Sequence, residues 1–317
     1  MKTDLQHGIV YYPNSTNRGD DIQSYAAAKL VDNAVFCDRE HLNNICVPTK
    51  LLCNGWFMEN GANWPPSQKV RPLFLSFHIS SKSLKEMTSP SSIAYFKQHQ
   101  PIGCRDLHTL QVLKEHQVEA FLSGCLTLTL PKYTGKRGDE ILFVDVMRTN
   151  YTTSYRKAIV SRLIPEKYRD KIEFITHFYN ELKSQSTEER MNEAKALLDR
   201  YKKAKVVFTS LIHCALPCVA MGTPVVFVDA GFNNNNAKRD RFGGILDLFP
   251  NHINIDLPFG KRTFLHKLAR ISGLYRLKIK NVNPLDEFLF SPDFTKFSQL
   301  KLAKSLQESV HHFYSNS

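Results

Sequence analysis

Short runs of apolar residues alternate with polar segments along most of the chain. Residues 206–208 and 225–228 are uncharged runs of β-branched and aromatic residues, a pattern typical of strands that are covered on both faces in a parallel sheet. Two parallel strands need a crossover connection. The intervening segment predicts a helix with Ser210 as its N-cap and Gly222 at its end. This unit predicts a parallel sheet.

The same alternation recurs in both halves of the chain. Further strands are predicted over residues 8–12, 73–77, 141–145, 172–176 and 253–255. Helices are predicted over residues 22–30, 188–201 and 297–313. The Asn-Gly pair within residues 54–57 predicts a turn that carries two aromatic residues. Because strands alternate with helices, the sequence predicts an α/β protein.

One stretch has the composition of a linker between domains. Residues 131–139 combine turn-forming and charged residues with few apolar ones, and we place a domain boundary there. The prediction is an N-terminal Rossmann-like domain, a C-terminal Rossmann-like domain and a final helix that packs across the seam between them. These three parts cover residues 1–135, 136–290 and 291–317.

The overall composition is that of an ordinary soluble globular protein, with 42% hydrophobic and 23% charged residues among 317. The first residues lack the apolar block of a secretory signal, so we expect a cytoplasmic protein. The seven scattered cysteines suit reduced thiols better than a disulfide framework. Cys214 and Cys218 are one helical turn apart, but no second Cys/His pair has zinc spacing, and we predict no metal site.

The chain is strongly basic, with a formal net charge of +12 and a pI near 9.3, which favours anionic partners. Residues 260–280 contain many cations and no acidic residue. Two interpretations of this segment stay open: the solvated face of a helix, or a surface that contacts an anionic membrane or a lipid-linked phosphate. No helix-turn-helix, RNP-like or zinc pattern supports a nucleic-acid partner.

Two candidate anion-binding residues lie near predicted helix starts. His213 follows a strand end and lies beside the N–H groups and the positive dipole end of the predicted helix, where anions bind. The alternative is that His213 caps the turn or packs in the core. Arg105 also precedes a helix, where a cation is unfavourable unless it binds an anion. The alternative for Arg105 is a structural ion pair that involves Asp106.

Other polar candidates follow predicted strands. Asn17, Gly19 and Asp20 lie in the loop after the first strand, where they line a sugar site or where Asp20 or Asp21 simply caps the next helix. His78 ends the strand at residues 73–77. Arg241 lies in a polar loop of the kind that closes over a ligand.

The two tryptophans, Trp56 and Trp64, lie in segments rich in glycine and proline. Sugar sites place aromatic faces against the apolar face of a pyranose, whereas aromatic residues in such loops also anchor the loop to the core. Both interpretations stay open for each tryptophan.

Three stretches together resemble the polysaccharide pyruvyl transferase family. They are Arg-Gly-Asp-Asp-Ile-Gln-Ser at 18–24, Ile-Gly-Cys-Arg-Asp-Leu-His-Thr at 102–109, and Thr-Ser-Leu-Ile-His-Cys-Ala-Leu-Pro at 209–217 with Met-Gly-Thr-Pro at 221–224. Their order and their positions at strand ends carry the resemblance, which covers roughly residues 8–250. It implies two facing Rossmann-like domains, as in B-type glycosyltransferases, with the active site in the cleft.

The resemblance also implies a reaction. Members of the family transfer the pyruvyl unit of phosphoenolpyruvate to two hydroxyls of a sugar, which forms a cyclic ketal and releases phosphate; no other cofactor is implied. We expect the acceptor to be a sugar or a lipid-linked glycan. By position, Arg105 and His213 are the predicted catalytic residues. The predicted donor site comprises Arg105, Ser210, His213 and Arg241, and the predicted acceptor site comprises Asn17, Gly19, Asp20 and His78.

The sequence departs from the family at one place. Leu211 stands where the family usually has an arginine, two residues before His213. The loss of a charged hydrogen bond weakens donor binding by about 1.5–3 kcal/mol, unless Arg239 or Arg241 replaces it. Two alternative functions therefore stay open: a B-type glycosyltransferase with a nucleotide-sugar donor, and a non-catalytic basic protein that binds glycan phosphates.

Overall fold

The structure is a computed structural model that describes residues 5–146, 157, 161, 163–179, 185–230, 243–249, 252–255 and 300–315. Within these residues the chain forms two parallel β-sheets with helices between successive strands. The predicted α/β class with parallel sheets is thus confirmed.

The first sheet has six strands in the order β2-β1-β3-β4-β5-β6, and all of its neighbours are parallel. These strands are β1 (Gln6–Tyr11), β2 (Val35–Asp38), β3 (Thr49–Phe57), β4 (Val70–Ile79), β5 (Ile102–Cys104) and β6 (Ala120–Leu122). Its helices are α1 (Arg18–Ala28), α2 (Leu84–Met87), α3 (Pro90–Gln98) and α4 (Leu107–Glu115).

The second sheet has five parallel strands in the order β11-β10-β9-β7-β8. They are β7 (Ile141–Val144), β8 (Ile172–Ile175), β9 (Val206–Thr209), β10 (Val225–Ala230) and β11 (His252–Ile255). The helices are α5 (Thr187–Lys203), α6 (Ile212–Met221) and, near the C-terminus, α7 (Leu300–Ser315). As predicted, α6 connects β9 with β10 and ends at Gly222, whose φ of 70° suits glycine.

The two halves of the chain share one hydrophobic core. A single cluster of buried side chains joins Ile22 and Ala26 of α1 to Leu198 of α5, Leu216 of α6 and Val310 of α7. Such burial contributes roughly 1.5–3 kcal/mol for each large apolar side chain. The helices between the sheets are therefore held by apolar packing from both halves.

A short antiparallel bridge links the loops that follow β1 and β8. The backbone N–H of Arg18 donates to the carbonyl of His177 at 2.8 Å, and the N–H of Tyr179 donates to the carbonyl of Thr16 at 2.8 Å. Both loops leave the carboxyl ends of parallel strands, where α/β proteins bind ligands. The bridge therefore brings the carboxyl ends of strands from the two sheets together.

The C-terminal helix α7 packs against the first sheet and the segment Leu126–Thr129. Leu306 and Val310 are buried in the shared core, and the Tyr314 hydroxyl donates to the carbonyl of Gly8 at 2.6 Å. These contacts tie the end of the chain to its first strand. The proposed boundaries of the three parts stay predictions.

Leu126–Thr129 forms a 3₁₀ helix, although its leucines and threonines alternate as in a strand. All four of its residues are buried, so the alternation of leucine and threonine does not mark an inside and an outside face. The Thr129 hydroxyl donates to the carbonyl of Leu126 at 2.8 Å. Threonine side chains that bond to nearby backbone compete with a strand ladder.

The turn predicted at residues 54–57 is wrong, since this segment ends β3 and contains a bulge between Cys53 and Gly55. Gly55 has a φ of 87°, and a Cβ there would lie 1.9 Å from the Tyr12 hydroxyl. Bulges use the same glycine conformation as turns, which explains the mistaken prediction.

The basic segment 260–280 lies outside the described residues. None of the helices in the described ranges is both long and apolar enough to cross a membrane.

Candidate active site

A cavity of about 430 Å³ lies at the carboxyl end of the first sheet, within the usual size range of ligand sites. Its lining mixes carboxylate, imidazole, hydroxyl, amide and indole groups. The lining residues are Ser15, Asn17, Asp20, Trp56, Glu59, His78, Ile79, Ser80, Ser81, Lys82, Leu84 and His108. All of them belong to the first half of the chain, and neither Arg105 nor His213 is among them.

Strand register explains how three site residues come together. Trp56 of β3 is the direct neighbour of His78 on β4, and Phe77 of β4 is paired with Cys104 of β5. Arg105 therefore follows β5 at the level of His78. Neighbouring residues of adjacent strands point to the same face. The fold therefore places an indole, an imidazole and a guanidinium near one another at the carboxyl ends of three adjacent strands.

His78 forms a buried pair with Asp106, the N-cap residue of α4. The imidazole Nδ1 lies 2.6 Å from Oδ2 of Asp106, and the backbone N–H of Thr109 donates to Oδ1 at 3.0 Å. Burial by itself raises the pKa of Asp106, but His78, Arg105 and the Thr109 N–H together lower it below its ordinary value. Asp106 is therefore a carboxylate at neutral pH.

Arg105 lies beside Asp106, whose carboxylate contacts His78 on the cavity wall. Its side chain is completely buried, and its Nε lies 3.6 Å from Oδ2 of Asp106. None of its three guanidinium nitrogens has a hydrogen-bond partner among the described residues. A buried donor without a partner costs about 1–3 kcal/mol or more when charged. The predicted ion pair with Asp106 thus exists, and the hydrogen-bond donors of the guanidinium are unused among the described residues.

Neither Asp20 nor Asp21 is the N-cap of α1, so the capping interpretation is wrong. The cap is Asn17, whose side chain accepts a hydrogen bond from the N–H of Gly19 at 3.0 Å. Helix α1 begins at Arg18, which places Asp20 in its first turn. The side chain of Asp20 is thereby available to the cavity.

The Asp20 carboxylate is held by three donors. It accepts hydrogen bonds from Ser15 Oγ at 2.6 Å, from Gln23 Nε2 at 3.2 Å and from Trp56 Nε1 at 3.2 Å. Burial raises its pKa, and Ser15, Trp56 and the two arginines Arg39 and Arg105 offset only part of that effect. Asp20 is therefore an oriented acceptor at the cavity.

The two tryptophans have different surroundings. The guanidinium carbon of Arg39 lies 3.7 Å from the centre of the Trp56 ring, a cation–π contact that fixes the indole on the cavity wall. Trp64 instead packs among Phe57, Phe77 and three other aromatic rings at centroid distances of 5.2–6.1 Å. Only Trp56 is therefore placed to contact a sugar in the cavity.

Gly19 gives α1 a close approach to two histidines of the second half. A Cβ on Gly19 would lie 3.1 Å from the Cβ of His213 and 3.2 Å from Nδ1 of His177. Gly19 is one of the predicted acceptor-binding residues, but it does not line the cavity. Its position brings the N-terminus of α1 next to that of α6.

We expect Gly19→Ala to destabilise the protein by about 1–3 kcal/mol, because the added methyl group overpacks this contact. Gly138→Ala is the matched control, since a Cβ there would meet its nearest neighbour only at 3.6 Å. Urea unfolding of both variants measures the difference. Equal stabilities would show that the contact between α1 and α6 tolerates a methyl group.

Ser210 is not the N-cap of α6. The cap position is Leu211, which makes no side-chain cap bond, and its N–H donates to Thr209 Oγ1 at 3.0 Å. Ser210 Oγ donates to the carbonyl of Val228 at 2.7 Å, which ties the end of β9 to β10. His213 is the second residue of α6 and is largely buried.

A buried thiol lies directly after His213. Burial raises the pKa of Cys214, but contacts with Cys218, His177 and Thr209 outweigh burial and lower it to about 6. No disulfide involves any of the seven cysteines. Across the described ranges, no group of three or more His, Cys, Asp or Glu residues is arranged to hold a metal ion.

The predicted residues therefore fall into several places. Asn17, Asp20 and His78 line the cavity, and Arg105 supports its wall. Gly19 and His213 lie where the two halves meet, whereas Ser210 bonds to the carbonyl of Val228 within the second half. Arg241 lies outside the described residues.

The sequence interpretation missed the link between His78 and Asp106. The available signal was an acidic residue next to Arg105 at a predicted helix start, while the preceding predicted strand ends at His78. Only the register of β4 and β5 shows that the two side chains meet.

A sequence-family model matches the chain, and solved structures resemble it. A crystal structure of an uncharacterized protein from Klebsiella pneumoniae is 14% identical to it, covers 80% of this chain and 94% of that chain, and has a TM-score of 0.45. No curated protein matches significantly. A sequence model of polysaccharide pyruvyl transferases matches residues 17–230. Because that match spans well over half of the chain, the protein belongs to the polysaccharide pyruvyl transferase family and is a transferase.

Proposed function

We propose that the protein transfers the pyruvyl group of phosphoenolpyruvate to two hydroxyls of a sugar in a surface-glycan precursor. The products are a cyclic ketal and phosphate. Family membership supports a pyruvyl donor and a glycan acceptor. The observation that carries the proposal is Arg105, a completely buried guanidinium without hydrogen-bond partners among the described residues, close to a cavity of ligand size.

We assign the donor to Arg105 and the N-terminus of α6. A guanidinium binds a carboxylate or phosphate through two parallel hydrogen bonds, and a helix N-terminus favours negative charge. His213 lies at that helix start and is the acid that protonates the methylene carbon of the donor. Ser210 and Arg241 complete the proposed donor site. No further cofactor is needed.

We assign the acceptor sugar to the cavity of the first half. Asp20 and Asn17 offer oxygen acceptors for hydroxyl groups, and Trp56 offers an aromatic surface. A pyranose binds well where polar side chains flank an aromatic ring. Donor and acceptor would then react where α1 meets α6, which corresponds to a B-type arrangement of two facing domains.

We also propose where in the cell the protein acts. We place the enzyme in the cytoplasm, where phosphoenolpyruvate is made. The basic segment 260–280 suits contact with an anionic membrane or with a lipid-linked acceptor. Cosedimentation with anionic but not neutral vesicles, and its loss at high salt, would support this contact.

Leu211 favours one competing hypothesis, a nucleotide-sugar donor. It removes a cation beside His213 at the N-terminus of α6, where phosphoenolpyruvate would profit from one.

Thermal unfolding with added ligands tests the donor. Phosphoenolpyruvate at 100 times its Kd should stabilise the protein by about 2.7 kcal/mol and raise its Tm. Leu211→Arg should tighten this binding by about 1.5–3 kcal/mol, because it adds a charged hydrogen bond. Stabilisation by nucleoside diphosphates, with none by phosphoenolpyruvate, would contradict the proposed donor.

A further inference from the structure

His78 contacts the buried carboxylate of Asp106, and sugar binding alone does not require this contact. We propose that His78 is the general base that removes the proton of the attacking sugar hydroxyl, and that Asp106 positions it. This assignment rests on the proposed function and adds a catalytic role to the acceptor cavity. His78 lines that cavity, whereas Asp106 is completely buried behind it.

The orientation of the ring follows from its contacts. Nδ1 of His78 lies 2.6 Å from the Asp106 carboxylate, and at this distance a proton on Nδ1 is favoured over a lone pair that faces the negative oxygen. Nε2, on the opposite side of the ring, is then the basic nitrogen. This is the tautomer that a general base for a hydroxyl requires.

Second contacts fix both members of the pair. Thr109 Oγ1 lies 3.2 Å from Nδ1 of His78 and accepts a hydrogen bond from the N–H of Ile79 at 3.1 Å. Asp106 is held in turn as the N-cap of α4. The ring is thus anchored between the end of β4 and the start of α4. A locked ring keeps its base in a reactive position.

The proton balance of the proposed reaction needs such a base. In the first addition the hydroxyl oxygen bonds to C2 of phosphoenolpyruvate, His78 accepts the hydroxyl proton, and His213 donates a proton to the methylene carbon. Phosphate then leaves with the C–O bond pair and takes the proton from His78. The second hydroxyl adds to C2 and gives its proton to His213. Both histidines end in their starting states.

A second His–Asp pair in the protein provides a contrast. Nδ1 of His41 lies 2.7 Å from Oδ2 of Asp38, but the His41 side chain is 54% exposed and lies outside the cavity lining. The bond between the two groups is therefore not what distinguishes His78. Burial and a place on the cavity wall distinguish it.

Three variants test the role of the pair in steady-state phosphate release from phosphoenolpyruvate. His78→Ala should lower kcat by about 10²–10⁴-fold, the usual share of general acid–base catalysis, and added imidazole should restore part of the rate. Asp106→Asn should lower kcat at least about tenfold and change the acceptor KM little, because asparagine keeps the helix cap but reverses the preferred tautomer. His41→Ala should match the wild type.

A spectroscopic signature accompanies the kinetics. The wild type should show a downfield proton NMR signal from Nδ1–H of His78, and this signal should be absent in both His78→Ala and Asp106→Asn. If His78→Ala does not fold, His78→Gln replaces it, with circular dichroism as the check.

The outcomes separate this role from the proposed function. An active wild type whose His78 variants keep kcat within about threefold, or lose only acceptor affinity without imidazole rescue, would overturn the base assignment alone, since a base acts on the rate of the chemical step. A wild type that releases no phosphate with any acceptor would contradict the proposed function and the base role with it.

Discussion

Replacing Arg105 by methionine should remove donor binding and leave the fold intact. Two charge-assisted hydrogen bonds to phosphoenolpyruvate are lost, so kcat/KM for the donor falls by about 10²–10⁴-fold. The free energy of unfolding should stay equal or rise, because an apolar chain of similar length replaces a completely buried guanidinium that makes no hydrogen bond among the described residues. Asp106 keeps His78 and the Thr109 N–H as partners.

The combination of the two results is the test. Arg105→Lys is the matched control, because lysine keeps the positive charge but cannot form two parallel hydrogen bonds. Its activity should lie between that of the wild type and that of Arg105→Met. Donor titrations followed by urea unfolding of each variant measure both quantities. A methionine variant that binds phosphoenolpyruvate normally but unfolds far more easily would show that Arg105 has a structural role.

Replacing Arg190 by methionine should cause the largest loss of stability. Arg190 of α5 contacts Asp21 of α1 through Nε at 2.9 Å and Nη2 at 3.1 Å. Its Nη2 also donates to the carbonyls of Ser15 at 2.8 Å and Tyr12 at 3.2 Å. Breaking such a buried pair from one side costs about 3–5 kcal/mol. Ser15 lines the cavity, so activity should fall as well.

A surface arginine on the same helix supplies the control. Arg200 pairs with Glu173, and the two side chains are 40% and 49% exposed, so Arg200→Met should cost no more than about 1 kcal/mol. Urea unfolding at one pH compares the two variants. Equal losses would mean that Arg190 does not hold the two halves together in the way its contacts indicate.

Parts of the fold could be predicted because local sequence and tertiary packing agree there. Uncharged β-branched runs on both sides of α6, together with a glycine at Gly222, leave little choice but a strand–helix–strand unit. Prediction failed where the same residue types serve another structure. Gly55 makes a bulge within β3 instead of the predicted turn.

The site was predictable up to the contacts that depend on register. The rule that ligands bind at strand ends selected Asn17, Asp20 and His78, and the structure places all three on one cavity. The link between His78 and Asp106 depends on how β4 and β5 align. The contact between Asp21 and Arg190 joins residues 169 positions apart. Neither relation leaves a signal in a single sequence.

Acceptor-dependent release of phosphate from phosphoenolpyruvate tests the central claim most directly. A panel of free and lipid-linked sugars would be incubated with the purified protein, and each sugar would be analysed by mass spectrometry for an added pyruvate ketal. We predict phosphate release in equal amounts with the ketal for at least one sugar, and none with Arg105→Met. Release that needs no sugar, or transfer of a glycosyl group from a nucleotide sugar instead, would contradict pyruvyl transfer.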